Sequence, residues 1–149
     1  FVRYYGDVSR GDLERASKVI ICGTSLKDFE YLGEVGKFKW LCDFKKPVLG
    51  ICGGMQIIGL VFGGKLRKKK EIGFYREKFG KVFLGLEGEK EVYHLHNSYV
   101  DFSKVEGFGV FSGKGNVSQA VKHRDKGIYG VLFHPEVRQK DLIKKFCLL

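Results

Sequence analysis

The sequence predicts an α/β domain: a doubly wound, mostly parallel sheet between two layers of helices, with an antiparallel extension. Two short apolar runs, KVIIC at Lys18–Cys22 and PVLGI at Pro47–Ile51, have the composition of parallel strands that are buried on both faces. A helical pattern follows each run, and such alternation is typical of right-handed βαβ units. After Lys70 the pattern changes to short β-like pieces between Gly, Asp and Lys turns, which indicates the antiparallel extension.

Length and composition favour one domain. The chain has 149 residues, of which 44% are hydrophobic, enough for a full core, and no apolar run is long enough to cross a membrane. The four cysteines include no C-x-x-C pair, and no charged-then-apolar leader is visible, so we expect a reduced, cytoplasmic setting. The only methionine is Met55 and the chain opens at Phe1, so we expect that its natural start is missing.

The formal charge of +10 does not by itself indicate nucleic-acid binding. The densest basic run, KLRKKK at Lys65–Lys70, contains no aromatic side chain on which a base could stack. An acidic partner subunit or a well-solvated surface explains the charge better. We therefore expect neither a nucleic acid nor a membrane among the partners, although this run could form a loop that faces phosphate or a partner.

The elements of the first third follow from local patterns. Phe1–Tyr5 has strand composition, and a short amphipathic helix is expected around Leu13 and Ala16. Lys18–Cys22 should then form a central parallel strand. A helix is predicted over 27–42, weakened by two glycines, with its apolar side chains on one face: Phe29, Leu32, Phe38 and Leu41.

The remaining elements surround and follow the second apolar run. Val48–Ile51 should be a strand, and the helix after Cys52 is apolar nearly all round, as expected for a helix packed deep against a sheet. Gly63 and Gly64 should cap that helix. Five β-like pieces follow: Gly73–Phe83, Glu91–Val100, Phe108–Phe111, Val117–Lys122 and Gly127–Phe133. Arg138–Leu149 should close the domain as a helix.

Cys52 is the candidate nucleophile. The Gly50-x-Cys52-x-Gly54 pattern between a strand and a helix has the form of a nucleophile elbow, in which small flanking residues allow a sharp turn. The turn places the sulfur at a helix N-terminus, where unpaired N–H groups favour negative charge. A lone cysteine is nevertheless more often a buried structural residue, so its neighbours must decide.

His134 is the candidate base for this cysteine. It lies in Leu132-Phe133-His134-Pro135-Glu136, near the end of a predicted strand. In an extended segment residues i and i+2 point to the same side, so Glu136 can hold the ring of His134 and stabilise its protonated form. The pattern predicts a Cys-His-Glu triad with Cys52 as nucleophile, His134 as general base and then acid, and Glu136 as the orienting carboxylate.

Paired with each other, GICGGMQ at 50–56 and GVLFHPEV at 130–137 resemble the class I, triad-type, glutamine amidotransferase domain. The resemblance covers essentially the whole chain and is strongest to the glutaminase subunit of GMP synthase. It implies a flavodoxin-like sheet and hydrolysis of L-glutamine to glutamate and ammonia through a cysteine thioester. It also implies that the family's first strand and helix precede Phe1, and that no cofactor serves the glutaminase domain itself.

The resemblance implies further site residues. Gly53 would supply an oxyanion-hole N–H, Gln56 would help to hold substrate, and Leu95 and His96 lie where the family binds the amino-acid part of glutamine. The family's Gly-Gly-Pro loop, which feeds the second N–H, is replaced by Gly23-Thr24-Ser25. Loss of one such donor can cost about 100- to 1000-fold in rate. The usual Ser-His-x-Asp is replaced by Leu95-His96-Asn97-Ser98, which weakens the assignment to the subfamily.

The partner expected from the resemblance is a separate synthetase of the ATP pyrophosphatase type, which would bind ATP and Mg²⁺ and aminate XMP. The alternatives are an amidotransferase of another pathway, a stand-alone γ-glutamyl hydrolase, and a non-catalytic regulatory subunit. No metal site is predicted: His94 and His96 form an H-x-H without a visible third ligand, so we interpret them as strand residues at the pocket or its rim. His123 is interpreted as part of a solvated turn.

Overall fold

The computed structural model describes all 149 residues and contains one seven-stranded sheet with the order β1-β2-β7-β6-β5-β3-β4. The strands are β1 (Val19–Ile21), β2 (Val48–Ile51), β3 (Leu66–Phe83), β4 (Leu86–Val100), β5 (Phe108–Lys114), β6 (Val117–His123) and β7 (Ile128–Val131). β1, β2 and β7 are parallel, and the other neighbours pair antiparallel. The predicted α/β class with an antiparallel extension is therefore confirmed.

Four α-helices accompany the sheet: α1 (Arg10–Arg15), α2 (Glu30–Gly33), α3 (Gly53–Val61) and α4 (Lys140–Cys147). α1 begins at a capping box, in which Ser9 and Asp12 each accept a hydrogen bond from the other's backbone N–H. α3 ends as predicted, because Gly63 adopts a φ of +86° that allows the chain to reverse. No helix is both long and apolar enough to cross a membrane.

Alternate residues of the central strands enter two separate cores. Val48 of β2 packs with α3 in one hydrophobic cluster, and Leu49 packs with α4 in the other. The same alternation divides Val121 from Ala120 in β6. Since successive side chains of a strand point to opposite faces, the sheet lies between two helical layers. This arrangement accounts for the complete burial of β2.

Three predictions about the first third of the chain are wrong. Phe1–Tyr5 is not a strand; a 3₁₀ helix covers Tyr5–Asp7, and Phe1 and Val2 are exposed. β1 is an edge strand, because its only partner is β2 and Ile20 is more than a third exposed. The single helix expected over 27–42 divides into α2 and a 3₁₀ helix at Val35–Cys42. The division falls between Gly33 and Gly36, where glycine weakens the helical state.

β3 and β4 form a long antiparallel hairpin, which begins earlier than the pattern after Lys70 suggested. Four of the five basic residues of the 65–70 run lie in β3, so most of the run is an exposed strand segment rather than a loop.

His123 also differs from its prediction. It ends β6 and is buried, and its ring packs against Phe62 and Phe108 and accepts hydrogen bonds from two backbone N–H groups of the following turn.

Candidate active site

Cys52 lies in the sharp turn between β2 and α3. It is the N-cap of α3 and has a φ of 51° and a ψ of −105°, a conformation that L-residues rarely adopt. The flanking glycines allow the turn, since a Cβ at Gly54 would lie 2.0 Å from the carbonyl oxygen of Ile21. All four cysteines are free, and Cys52 is the buried one. The predicted elbow is therefore present, with the sulfur at the N-terminus of α3.

His134 follows β7 and is held at both its backbone and its ring. Its N–H donates to the carbonyl of Tyr93 at 2.8 Å, which fixes the segment beside β4. Its Nδ1 lies 2.6 Å from Oε1 of Glu136, a short distance that is typical of a charge-assisted hydrogen bond. The expected spacing of ring and carboxylate is thus present. Nε2 of the ring is buried and has no hydrogen-bond partner.

Cys52 and His134 lie together next to Gly23. A Cβ placed on Gly23 would meet Cε1 of His134 at 3.0 Å and Cβ of Cys52 at 3.2 Å. The thiol donates to the carbonyl of Leu95 at 3.6 Å, and it makes no well-aligned hydrogen bond with the ring. Cys52 is nevertheless close enough to the ring to raise the pKa of His134. Turning the thiol from Leu95 towards Nε2 would complete the pair.

The charge state of His134 follows from these neighbours. Burial alone would lower the pKa of His134, but the sulfur of Cys52 and the carboxylate of Glu136 outweigh burial and raise that pKa to about 10. Burial would likewise raise the pKa of Glu136, but the hydrogen bond from His134 lowers it. An imidazolium paired with a carboxylate is therefore the resting form at neutral pH.

A narrow pocket of about 270 Å³, including its open mouth, contains Cys52. The predicted residues Thr24, Gln56, Leu95 and His96 line it. Asn97 and Ser98 of the altered Leu95–Ser98 segment also line the pocket, although no role was predicted for them. Sequence reasoning missed three other lining residues, because they lie in a segment without a motif: Asp28, Phe29 and Tyr31. His94, which the same reasoning placed at the pocket or its rim, lies outside the set of lining residues.

Gln56 joins three parts of the pocket wall. Its Oε1 accepts from the hydroxyl of Tyr31 at 2.8 Å, and its Nε2 donates to the carbonyl of Ser98 at 2.8 Å. Burial, followed by the nearby Cys52 sulfur, raises the pKa of Tyr31 to about 12, so the hydroxyl remains a donor at neutral pH. Gln56 thus ties α3 to α2 and β4. Its two amide atoms are already engaged within the protein.

The two candidate oxyanion donors, Gly53 and the Gly23-Thr24-Ser25 loop, both lie next to Cys52. Gly53 is the first residue of α3, so its N–H has no partner within the helix. The Gly23-Thr24-Ser25 loop faces it, with Oγ1 of Thr24 3.4 Å from the position of a Cβ on Gly53. Gly23 allows the loop to approach Cβ of Cys52 and the ring of His134 closely. The loop that departs from the family pattern is therefore next to the reacting atoms.

His94 and His96 have an acidic neighbour that their spacing in the sequence did not reveal. Glu71 of β3 lies directly opposite His96 of β4, and all three side chains are buried. The register in which β3 pairs with β4 brings Glu71 to His96. This register depends on the turn at the end of the hairpin, so the spacing of residues in the sequence did not reveal the contact. Burial, followed by the charge of His94, lowers the pKa of His96 to about 4.

Comparison with known proteins gives a second line of evidence on the family of this chain, independent of the site geometry. The sequence profile of the family described as glutamine amidotransferase class-I matches residues 7–146. A GMP synthase (glutamine-hydrolysing) of Staphylococcus epidermidis is 36% identical over 109 residues, which cover 67% of this chain and 21% of that protein. A GMP synthase of Listeria monocytogenes is 34% identical over 116 residues, 71% of this chain and 22% of that protein.

Solved structures agree with the fold. A Thermoplasma acidophilum protein described as a subunit of GMP synthase superposes with a TM-score of 0.83 at 25% identity, covering 94% of this chain and 75% of that chain. This chain spans only about a fifth of the length of the curated relatives. The site contains a glycine-flanked cysteine together with a paired histidine and glutamate, and the family profile matches most of the sequence. The chain therefore belongs to the class I glutamine amidotransferase family.

Proposed function

We propose that this chain hydrolyses L-glutamine to glutamate and ammonia and passes the ammonia to a separate synthetase subunit. The observation that carries the proposal is the placement of Cys52 and His134 around Gly23, with Glu136 hydrogen-bonded to the far side of the His134 ring. A nucleophile, a base and an orienting carboxylate are the parts that acyl transfer requires. The family assignment identifies the acyl donor as glutamine.

In the proposed reaction, the Cys52 sulfur forms a bond to the side-chain amide carbon of glutamine. The imidazolium of His134 gives its proton to the amide nitrogen, the C–N bond breaks, and ammonia leaves with a glutamyl thioester on Cys52. Water then attacks the thioester carbon while His134 accepts its proton. Glutamate is released, and the proton returns to the sulfur or the ring. Glu136 stabilises the protonated ring in each step.

The other predicted residues have positioning and binding roles in this proposal. The N–H of Gly53 and a donor from the Gly23-Thr24 backbone would bind the oxyanion, because both segments border the thiol. The backbone near Leu95 and His96 would border the amino-acid part of glutamine. Gln56 would act by holding Tyr31 and β4 in place, since its amide is bonded to both. No cofactor takes part in these steps.

We further propose that the ammonia acceptor is XMP, on an ATP pyrophosphatase-type synthetase that binds ATP and Mg²⁺. The support is the likeness to relatives named GMP synthase, of which this chain covers about a fifth. The likeness to the Thermoplasma acidophilum protein, of which the superposition covers 75%, adds to this support. The positive net charge of +10 suits a partner with an acidic docking surface.

One observation favours a second candidate function. Leu95-His96-Asn97-Ser98 replaces the Ser-His-x-Asp of the GMP synthase type, and these residues line the pocket. An altered pocket wall would suit an amidotransferase of another pathway or a stand-alone γ-glutamyl hydrolase. Such an enzyme would keep the same Cys52 chemistry with a different acceptor or acyl donor.

The first experiment measures glutamate release from glutamine and traps the thioester by mass spectrometry. Wild type and Cys147→Ala should both react, since Cys147 is exposed at the end of α4, whereas Cys52→Ala should release no glutamate. A non-catalytic subunit would form no thioester, with or without synthetase. That result would overturn the proposal.

The second experiment tests the acceptor with an XMP-binding synthetase, ATP and Mg²⁺. Wild type should support GMP formation from glutamine, and Cys52→Ala should support it only when ammonium is added. Rapid glutamine hydrolysis without any stimulation or GMP formation would instead assign the chain to the second candidate. Cleavage of γ-glutamyl peptides would identify a γ-glutamyl hydrolase.

A further inference from the structure

The β3–β4 hairpin contains a buried cluster that the proposed glutaminase reaction does not use. Glu71, His94 and His96 are at most 8% exposed, and each offers a donor atom within 4.8 Å of those of the other two. Oε2 of Glu71 lies 3.1 Å from Nε2 of His96. Three converging groups of this kind, two imidazoles and a carboxylate, form a common protein donor set for zinc.

Most ring nitrogens of the cluster lack a hydrogen-bond partner. Nδ1 of His94 and both ring nitrogens of His96 are buried and make no hydrogen bond of good geometry. Buried polar atoms are rarely left without partners, because their desolvation is not repaid. Because a neutral imidazole carries one lone pair, Nδ1 of His94 and one nitrogen of His96 together leave two lone pairs available to a ligand.

Neighbouring side chains orient two of the three donors. Nε2 of His94 lies 3.2 Å from Oε1 of Glu77, so the ring donates its Nε2 proton there and turns the Nδ1 lone pair towards the cluster. Gln119 donates to Oε2 of Glu71 at 3.0 Å. A carboxylate on the outer nitrogen of a histidine is the usual support of a metal-binding ring. Lys69 lies 3.0 Å from Oε1 of Glu71 and is partly exposed, so it can move away into solvent.

We propose that Glu71, His94 and His96 bind one Zn²⁺ ion, with Glu77 and Gln119 as orienting residues and water as the fourth ligand. Zn–N distances of about 2.0–2.1 Å in a tetrahedral site place the donors about 3.3 Å apart. Since all three donors lie within 4.8 Å of one another, no pair has to close by more than about 1.5 Å. The ion would link β3 to β4 directly beside the glutamine pocket, which His96 also lines.

The test titrates Zn²⁺, and Co²⁺ as a spectroscopic substitute, into chelator-treated wild-type protein. We expect one equivalent to bind, with a tetrahedral cobalt spectrum and a raised melting temperature. His94→Gln and Glu71→Gln should abolish this binding, and Glu77→Gln should weaken it about 10- to 100-fold. Glu89→Gln is the matched control, because Glu89 is an exposed carboxylate of the same hairpin that pairs with Arg76.

Three outcomes would overturn the proposal: no binding by wild type, equal binding by His94→Gln, and a thiolate-to-cobalt charge-transfer band that disappears on alkylation of the cysteines. The last would assign the metal to sulfur. Circular dichroism of the metal-free variants separates lost binding from lost folding, and Glu77→Gln leaves all three donors in place. None of these readouts requires glutaminase activity, so the inference and the proposed function fail independently.

Discussion

The side chain of His134 has different partners on its two sides. Its Nδ1 is bound to Glu136 at 2.6 Å, whereas its buried Nε2 has no hydrogen-bond partner, and the ring lies beside Cys52. This asymmetry fixes which nitrogen faces the reacting atoms. A carboxylate behind the ring also makes the protonated form the stable one, as the proposed transfer of a proton to the departing ammonia requires.

The first residue-level prediction concerns Glu136→Gln. Removing the carboxylate should lower the pKa of His134, since an amide neither fixes the ring as firmly nor stabilises its charge. The rate of glutamine hydrolysis should fall by about 100-fold or more. NMR titration of the ring and steady-state kinetics measure the two effects. Glu87→Gln, an exposed carboxylate at the far end of the hairpin, should change neither. An unchanged ring pKa in Glu136→Gln would contradict this role.

A second prediction for Glu136→Gln concerns how the free energy of unfolding depends on pH. The folded-state pKa of His134, about 10, exceeds its ordinary value of 6.5, so the ring stabilises the fold fully below pH ~6.5 and loses this contribution as pH rises towards 10. The excess free energy of unfolding of wild type over Glu136→Gln should therefore be largest near pH 6 and shrink towards pH 10. Urea unfolding at several pH values measures it. A constant difference would show that the ion pair does not stabilise the fold.

At the scale of elements, the turn from β2 to α3 depends on backbone contact. A Cβ at Gly54 would lie 2.0 Å from the carbonyl oxygen of Ile21, and a Cβ at Gly50 would lie 2.6 Å from the carbonyl of Gly54. The glycines therefore allow α3 to begin directly against β1 and β2. Because Cys52 lies between them, the same packing holds the sulfur in its rare backbone conformation.

Gly54→Ala tests this contact. The added methyl group must displace α3 or β1, so we expect a loss of about 1–3 kcal/mol or more in the free energy of unfolding, together with a loss of thiol reactivity. Gly33→Ala is the matched control, since nothing lies within 4 Å of its Cβ position at the end of α2. The control should be neutral or more stable by about 0.5 kcal/mol. Denaturant unfolding and alkylation rates give both values, and similar results for the two variants would contradict the argument.

For the whole molecule, the hairpin is joined to the sheet by little backbone pairing. β3 pairs with β5 through one register position, Phe79 with Ser112. Side-chain packing supplies the rest, because Phe79 and Phe83 insert into the core beneath α4. The hairpin also carries Leu95 and His96, which border the pocket. One core therefore connects the fold to the site.

Phe83→Ala tests this connection. Phe83 is 2% exposed and packs against Phe111 and Tyr129, so truncation should cost about 3–5 kcal/mol and raise the KM for glutamine by loosening the pocket wall. The neighbouring Val82 is 60% exposed, and Val82→Ala should change stability by less than about 0.5 kcal/mol. Hydrogen exchange of β4 amides and glutamine kinetics measure the effects. Unchanged β4 protection in Phe83→Ala would show that backbone pairing alone holds the hairpin.

Prediction from the sequence succeeded where local pattern decides the structure. β2, α3 and α4 follow from apolar runs and helical spacing, and the Cys52 elbow follows from its glycines. It failed at the edges of the fold. The run at Lys18–Cys22 has the composition of a central strand but lies at an edge, because neighbours in a sheet are chosen by the whole chain. The run at 65–70 joined β3 because pairing with β4 outweighed its charge.

The sequence by itself determined the α/β class, the elbow at Cys52 and the pairing of His134 with Glu136, because turn chemistry and the i, i+2 spacing are local properties. Only the tertiary structure decided what surrounds them. Tyr31 reaches Gln56 across 25 positions, and Glu71 meets His96 through the register of a long hairpin. Such contacts depend on how separate elements pack. Around Cys52 and in the β3–β4 cluster alike, the reactive residues are visible in the sequence, whereas the residues that surround them depend on tertiary packing.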